Sequence, residues 1–365
     1  MTEPARSPDV GQPFHSLASR DYVRTHAGDW HVVEPTSPAI RPPPRALGAR
    51  CVDLGSLNPD AYPELGIVDL EDAWVLAPHG WIVPSPGVVL GGHSFHGQDG
   101  NGRMKAPGAN LRVVDLPGVT VSLMSDFAHK SYGHMLLDAM PRLDLYERAG
   151  FDIGQADTFL CQSAGPGRRL WSQLGVPEAR CIWVDQRHWF RCERLIAPSF
   201  PGSRHNAPPW AVAFLRARLT QPAAGSGRRL YLPRTTSRFL SNEAALLPLL
   251  LDHGFEVFDP GAGREDPRAV FAAAEIVVGA SGGAFSDLTF CAPGTRVLEL
   301  IPSDHVRPYW YALSSSAGLD YAYVVGASST VRGDGSWGPS PYDFTVDVAE
   351  LASALRSLLP AKSGA

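Results

Sequence analysis

The chain has 365 residues, of which 44% are hydrophobic, and this length and composition predict a globular protein of two domains. Its 32 Lys and Arg residues are nearly balanced by 37 Asp and Glu residues, so the net charge of −5 excludes the broad positive field that sequence-independent nucleic-acid binding needs. No apolar run approaches the roughly 18 residues of a membrane span, and the start lacks the pattern of a secretory signal.

The five cysteines are odd in number and form no C-x-x-C pair. They indicate reduced residues of a cytosolic protein rather than a disulfide framework or a zinc site. The histidines lack metal-ligand spacing and no D-x-D triplet occurs, so we expect neither a tightly held divalent ion nor a cofactor. The expected location is therefore cytoplasmic, which is compatible with peripheral association with a membrane.

Residues 1–50 are rich in Pro, Ser and Arg and predict a poorly ordered arm, because such segments favour extended conformers. Short β-branched runs between Gly and Pro predict strands and tight turns over residues 73–123. Helices are then predicted over 132–149 and 168–174, and strands over 158–161, 181–184 and 193–198. This alternation predicts a parallel sheet in an N-terminal domain that spans residues 51–220.

Residues 221–227 are small and flexible and predict a linker. The alternation then becomes regular, with predicted strands over 229–232, 256–258, 276–278, 297–300 and 321–325. It predicts a Rossmann-like C-terminal domain over residues 228–330, followed by a loop and a helix within 331–365. The expected fold is α/β, with two Rossmann-like domains facing each other across a ligand cleft.

A polar stripe marks the predicted helix after residue 132. His134, Asp138 and Arg142 fall at i, i+4 and i+8, so they share one helix face. A carboxylate can orient an imidazole and raise its basicity, which makes His134 and Asp138 candidates for proton transfer. A structural His–Asp hydrogen bond is the alternative, and Pro141 interrupts the helix before Arg142.

The Gly-rich turn over residues 279–287 follows a predicted strand and opens a predicted helix. Its backbone N–H groups could approach a phosphate at the positive end of the helix. The turn also spells G-x-S-x-G, the nucleophile elbow of α/β-hydrolases, with Ser281 as the nucleophile. Against that alternative, the one later histidine is His305, and it directly follows Asp304, so acid and base could not stand on separate loops.

Arg234 and Arg238 lie in the loop after the first strand that follows the linker. Arginine offers a planar fork of donors that suits diphosphate oxygens, although solvated surface arginines are the alternative. The chain has no G-x-x-x-x-G-K-[ST] loop, so a P-loop site loses support.

Several motifs in the same order resemble glycosyltransferase family 61. Gly133-His134, Leu137-Asp138 and Pro141-Arg142-Leu143 are similar to the family's GH-x-x-L-[ED]-x-x-PRL helix. The second half is similar through Arg229-Leu230-Tyr231-Leu232, Asn242-Glu243, Gly254-Phe255-Glu256-Val257, Ala274-Glu275-Ile276-Val277-Val278-Gly279, Pro293-Gly294-Thr295 and Val297-Leu298-Glu299-Leu300. The resemblance covers roughly residues 110–326.

The resemblance implies a GT-B-like fold and an inverting transfer of a sugar from a nucleotide-sugar donor, which we expect to be UDP-linked, to a glycan or another hydroxyl acceptor. It further implies a bacterial member of the capsular-polysaccharide type that acts in surface polysaccharide or glycoconjugate synthesis. Arginines and helix N-terminal amides could neutralise the leaving diphosphate, so we expect a metal-independent reaction.

Under this resemblance His134, oriented by Asp138, is the candidate base, Asp138 is the second choice, and Arg142 lies on the acceptor side. Donor binding falls to Arg234, Arg238, Ser281, Gly282, Gly283, Asp287 and Glu299. The reserve candidates for the base are His93, His96 and Asp99.

Two positions depart from the family pattern. Ser281 stands where the family has His, and Asp287 where it usually has Asn. They motivate the alternative of a catalytically silent sugar-nucleotide-binding protein, and an α/β-hydrolase that uses Ser281 is less favoured.

Overall fold

The computed structural model describes residues 14–93, 111–202, 206–234, 237–328 and 342–359. Contacts divide the chain into two compact units. The first holds the described residues of Met1–Ala39 and Ala61–Leu219, and the second those of Ile40–Asp60 and Thr220–Ala365. Residues 51–60, expected in the N-terminal domain, thus belong to the second unit, and the predicted linker follows the end of the first.

The strands among the described residues are β1 (His15–Leu17), β2 (Asp29–Glu34), β3 (Ser37–Pro38), β4 (Arg45–Ala46), β5 (Ala61–Tyr62), β6 (Leu65–Leu76), β7 (Trp81–Val83), β8 (Val88–Leu90), β9 (Val113–Ser122), β10 (Thr158–Cys161), β11 (Cys181–Trp183), β12 (Trp189–Pro198), β13 (Arg228–Leu232), β14 (Glu256–Val257), β15 (Ala274–Ala280), β16 (Arg296–Pro302), β17 (Asp320–Ser328) and β18 (Phe344–Thr345).

The α-helices in the same ranges are α1 (Ser19–Val23), α2 (Tyr132–His134), α3 (Arg142–Arg148), α4 (Gly167–Gln173), α5 (Pro209–Leu219), α6 (Glu243–Asp252), α7 (Pro267–Ala272), α8 (Tyr309–Ala317) and α9 (Val348–Leu358). A π-helical turn spans Met135–Ala139, and 3₁₀ helices span Gly91–His93, Ile153–Gln155, Glu178–Arg180, Pro260–Ala262 and Gly283–Phe290. None of the helices in the described part of the chain is long and apolar enough to cross a membrane.

The main sheet of the first unit is mixed. Its strands lie in the order β11-β10-β9-β12-β6-β2, with β7 paired to β6. Strands β11, β10, β9 and β12 are parallel to one another, whereas β6 runs antiparallel to β12, β2 and β7. The prediction of a parallel, Rossmann-like sheet in the N-terminal domain is therefore wrong for the part of the sheet that β6, β2 and β7 form.

Acidic residues concealed most of β6 from the sequence pattern. The predicted strand begins only at residue 74, because Asp69, Glu71 and Asp72 interrupt the apolar run before it. In the structure Arg194 of β12 forms a paired contact with Asp69, with its Nη2 at 2.7 Å from Oδ2. Arg191 does the same with Asp72. Cross-strand ion pairs thus let an acidic segment pair as a strand.

Strands β6, β9 and β12 are irregular at one shared level. The register of β12 on β9 shifts between Cys192 and Arg194, Asp72 has a φ of 49°, and Gly118 has a φ of 70°. Bulges bend strands and increase their twist, so the pairing of β12 with β9 departs here from a regular ladder. The single strand β9 continues through Pro117-Gly118 at this level, within a region where the sequence predicts strands and tight turns.

The N-terminal segment differs from the expected poorly ordered arm. From Phe14 onward the structure places regular elements there: β1 pairs with β8, β2 with β6, and β4 with β17. Side-chain bonds add to these pairings, with Trp30 Nε1 donating to Glu64 over 3.1 Å. The prolines are compatible with this order because β1, β2 and β4 contain none of them.

The second unit is built on a parallel sheet in the order β14-β13-β15-β16-β17, with β18 antiparallel to β17. The predicted alternation of strands and helices is present here. Its core lies between the sheet and two helices, where Leu246 and Leu250 of α6 and Leu351 and Leu355 of α9 are buried against sheet residues such as Leu298. The spacing of the α9 leucines is that of one apolar helix face.

The strand order creates a switch point. The chain moves from β13 to β14 on one side and then to β15 on the other side of β13. In open α/β sheets ligands bind at the carboxyl ends of the strands where the order reverses. The loops after Leu232 and Ala280, the last residues of β13 and β15, therefore mark the expected ligand position in this unit.

Candidate functional site

The predicted His134–Asp138 pair is formed in the first unit. Its atoms Nδ1 and Oδ2 are 2.6 Å apart, and the side chains are 27% and 12% exposed. The local structure is not a regular helix, because the short α2 runs directly into a π-helical turn. Such turns are frequent at functional sites.

Opposing effects act on the His134 imidazole. Burial lowers its pKa, but the charge of Asp138 and the hydrogen bond to it raise the pKa, and Asp126 adds to the increase. The net pKa lies above the ordinary value of 6.5. The arrangement is that of a strengthened base held in one orientation by a carboxylate.

Arg142 does not share the face of the pair. It is completely buried, and its Nε and Nη2 donate to the Pro198 carbonyl at the end of β12, with Nε at 3.0 Å. Burial lowers its pKa to about 9. The π-helical turn and the break at Pro141 alter the helical phase, so the i+8 position points elsewhere. The expected acceptor-side position of Arg142 is thus replaced by a tie between α3 and β12.

A second His–Asp pair lies in the same unit, and sequence reasoning missed it. His79 Nδ1 is 2.5 Å from Asp126 Oδ1, and the two residues are 47 positions apart in the chain. The ring of His129 packs edge-on against that of His79 at 5.5 Å. One signal was available, since Asp126 and His129 follow the carboxyl end of the parallel strand β9, where such sheets place their sites.

Gln162 holds the second pair in place. This buried side chain follows β10, accepts from the Ser125 N–H over 2.8 Å, and donates to the carbonyls of Pro78 and Ser125 over 2.6 Å. It thereby joins the turn that carries His79 to the segment that carries Asp126.

His93, a reserve candidate, is a structural residue. Its ring is fully buried, with Nδ1 at 2.8 Å from the Ser19 hydroxyl and Nε2 at 3.0 Å from the Ala197 carbonyl oxygen. Burial and the charge of Arg142 lower its pKa to about 3. His96 and Asp99 lie outside the described residues.

In the second unit, the two predicted arginines reach the predicted Gly-rich turn. Arg234 is fixed by Ser237, to which it donates from Nε over 2.8 Å and from Nη2 over 2.9 Å. A Cβ atom on Gly282 would lie 1.9 Å from Nη1 of Arg234, so the guanidinium lies where only glycine leaves room. Gly283, by contrast, is exposed, and a Cβ atom there would meet nothing within 4 Å.

Arg238 meets the same turn from a strained backbone. Its φ of 55° is unusual for a residue with a side chain, and its Nε donates to the Ser281 carbonyl over 3.3 Å. Burial lowers its pKa, and burial together with Arg238 lowers the pKa of Arg234 to about 10. Two cations held at a switch point have the charge and the position to attract an anion.

Two other predicted donor residues lie inside the unit. Asp287 is buried within a 3₁₀ helix, Gly283–Phe290, where an α-helix was expected. Glu299 is completely buried, accepts from the Tyr321 hydroxyl over 2.6 Å, and lies within β16 rather than at its end. Their side chains therefore support the turn from the interior in this structure.

Replacement of Glu299 by Gln is expected to stabilise the protein at alkaline pH. Burial raises the pKa of Glu299 to about 7, against the smaller lowering effects of Tyr321, Ser281 and Arg238. A raised folded-state pKa costs stability progressively as pH rises from about 4.5 to 7, by roughly 3 kcal/mol when complete. Denaturant unfolding should show Glu299→Gln more stable than wild type at pH 8 and equal to it at pH 4.5. An equal difference at both pH values would contradict this assignment.

In the described residues no group of three or more His, Cys, Asp or Glu side chains could hold a metal ion.

The comparisons with known proteins bear on this geometry. A family model described as Glycosyltransferase 61 matches residues 132–298. No match was found among curated proteins. The matched range supports the resemblance and includes His134, Asp138 and the Gly-rich turn, but it begins after His79 and Asp126.

Proposed function

Because residues 132–298 match the Glycosyltransferase 61 model, we propose that this protein is a glycosyltransferase that moves a sugar from a nucleotide-sugar donor to a hydroxyl acceptor with inversion. The contact of Arg234 and Arg238 with the turn at Ser281 and Gly282 carries the proposal. Fixed cations at the switch point of a parallel sheet suit a diphosphate.

The donor half of the reaction follows from charge. As the bond from the anomeric carbon to the diphosphate breaks, negative charge develops on the departing oxygen. Preorganised arginines and the backbone amides of the turn stabilise that charge without moving. We propose a UDP-linked sugar as donor, with Asp287 and Glu299 as supporting residues of the turn.

The acceptor half needs a base. In an inverting transfer the acceptor oxygen attacks the anomeric carbon from the face opposite the diphosphate, while a base takes the hydroxyl proton. The His134–Asp138 pair has the required chemistry, with the ring oriented through Nδ1. The His79–Asp126 pair is the second candidate for this role, since it has the same chemistry in the same unit.

The finer parts of the proposal rest on the resemblance. They comprise a GT-B architecture, a cytoplasmic location, a glycan acceptor and a bacterial pathway of capsular or other surface polysaccharide synthesis. A catalytically silent sugar-nucleotide-binding protein is the second candidate, which Ser281 and Asp287 favour because they replace the family's His and Asn.

A screen of nucleotide sugars tests the function. A ligand that binds the folded state alone raises Tm with its concentration, so the donor can be identified without the acceptor. Product formation with that donor and a set of glycan acceptors then separates a transferase from a silent binding protein. Failure of every nucleoside diphosphate and nucleotide sugar to raise Tm would refute the proposal.

Transfer is expected to be independent of divalent metal ions. The chain lacks a D-x-D triplet, and in this proposal Arg234 and Arg238 neutralise the diphosphate in place of a metal ion. The rate after exhaustive chelation should stay within about a factor of two of the untreated rate, since amides and guanidinium groups supply the charge. Loss of activity that Mn²⁺ or Mg²⁺ restores would show that this part of the mechanism is wrong.

A further inference from the structure

A third loop reaches the donor-side edge of the second unit. Strand β16 pairs with β15, with Leu300 beside Ala280, so the loop after β16 starts at the same edge as the Gly-rich turn. This loop carries His305, whose backbone N–H donates to the Pro302 carbonyl over 3.0 Å. The loops after β13, β15 and β16 thus start at the same edge of the sheet. The first of them holds the two arginines, and the second is the Gly-rich turn.

The His305 imidazole has an unmet hydrogen bond. Its Nδ1 is buried and has no hydrogen-bond partner among the described residues. The ring packs against Tyr342, with 4.7 Å between centroids, and it is only partly shielded from solvent. A buried ring nitrogen without a partner is costly, and such groups are often explained by a ligand.

The charges that face His305 are mostly positive. Burial is the main cause that lowers its pKa to about 4, and the charges of Arg238, Arg307 and Arg234 add to this effect. The side chain of the adjacent Asp304 accepts from the Ser303 hydroxyl over 3.5 Å, and its backbone N–H donates to the Ser328 hydroxyl over 3.2 Å. The ring is therefore neutral at pH 7 among three guanidinium groups.

We propose that His305 is a ligand of the donor's diphosphate and that it takes up a proton from solvent when the diphosphate binds. This inference rests on the proposed function. An anion between the arginines and the ring cancels their repulsion and favours the imidazolium, which can donate from both nitrogens. The proton comes from the buffer, which is left with one proton fewer. His305 thereby supplies the imidazole that the turn lacks at Ser281.

Calorimetry with UDP in two buffers of different ionisation enthalpy measures the protons taken up. Wild type is expected to take up a fraction of a proton at pH 7, and its affinity should rise as pH falls from 8.5 to 6.5. In His305→Gln both effects should be lost, and affinity at pH 6.5 should fall by about tenfold, the scale of one charge-assisted hydrogen bond. The exposed His15 provides the matched control, since His15→Gln should behave as wild type.

Two further measurements test the source of the proton and the part of UDP that His305 contacts. Glu299 also titrates near neutral pH, so Glu299→Gln should retain the uptake if His305 is its source. Inorganic diphosphate should show the same dependence on His305 as UDP if the phosphates are the contact. Binding with equal proton uptake in wild type and His305→Gln would overturn this inference alone, whereas absence of binding by every nucleoside diphosphate would overturn the proposed function as well.

Discussion

Replacement of His134 by Ala is expected to lower kcat by about 10²–10⁴, the usual contribution of a general base. Donor binding should stay near normal, because His134 lies in the first unit and the arginines and turn of the donor site lie in the second. Steady-state transfer gives kcat, and calorimetry with a nucleoside diphosphate gives the affinity. A low kcat with intact affinity is the signature of a residue that acts on the acceptor proton.

The pH profile separates a base from a structural histidine. Asp138 raises the pKa of His134 above 6.5, so the acid limb of the wild-type profile should have its midpoint above that value. Asp138→Asn removes the raising charge, and the limb should then move to lower pH with a smaller loss of kcat. If Asp138 is itself the base, Asp138→Asn should lower kcat more than His134→Ala does.

The second His–Asp pair, His79 and Asp126, is the other candidate for the base. His79→Ala removes a partner of Asp126 at a comparable exposure of 27%. If His134 is the base, this variant should retain most of the rate. A large loss in His79→Ala with a near-normal rate in His134→Ala would transfer the role to the pair outside the matched range.

Replacement of either Arg234 or Arg238 by Ala should weaken binding of a nucleoside diphosphate by about 1.5–3 kcal/mol, the scale of a charge-assisted hydrogen bond. That corresponds to roughly 10- to 150-fold in Kd. Both guanidinium groups touch the Gly-rich turn, Arg234 over Gly282 and Arg238 through the Ser281 carbonyl. Calorimetry with UDP measures the change, and unchanged affinity in both variants would remove them from the site.

The two glycines of the turn provide a matched pair of variants. A methyl group at Gly282 would collide with Nη1 of Arg234, whereas one at Gly283 would meet no protein atom within 4 Å. Gly282→Ala should therefore weaken UDP binding as Arg234→Ala does, since it displaces the guanidinium. Gly283→Ala should leave Tm unchanged. Any loss of affinity that it causes would then come from crowding of the ligand rather than of the protein.

The parallel sheet of the second unit and the positions of its arginines and Gly-rich turn were predictable, because their signals are local and the sheet is regular. The rule that sites lie after parallel strands applies to Arg234 and Ser281 as soon as the strands are recognised. The His134–Asp138 pair needed only the four-residue spacing, which the change into a π-helical turn did not destroy. The His134–Asp138 contact lies within one helical segment, and the contacts of the arginines with the turn join the loops of neighbouring strands.

The other contacts and strand directions could not be predicted, because they depend on residues that are distant in the sequence or on departures from regular helix. His79 lies beside Asp126 where Gln162 joins two loops, and no spacing in the sequence encodes that approach. Arg142 was misplaced because eight residues of regular helix were assumed across a π-helical turn and a proline. The antiparallel half of the first sheet was missed because Asp69 is neutralised by an arginine that is distant in sequence.

The second unit cannot be isolated by a single cut of the chain. Strand β4 and the residues around it lie almost two hundred positions upstream, yet Arg45 pairs with Asp320 over 3.0 Å and Tyr323 bonds to the backbone of Val52. A fragment that starts at Thr220 would expose the edge of β17 that β4 covers, and such an edge invites pairing with another chain. Independent expression of the donor half thus calls for residues 40–60 to be supplied as a second peptide or fused through a new connection.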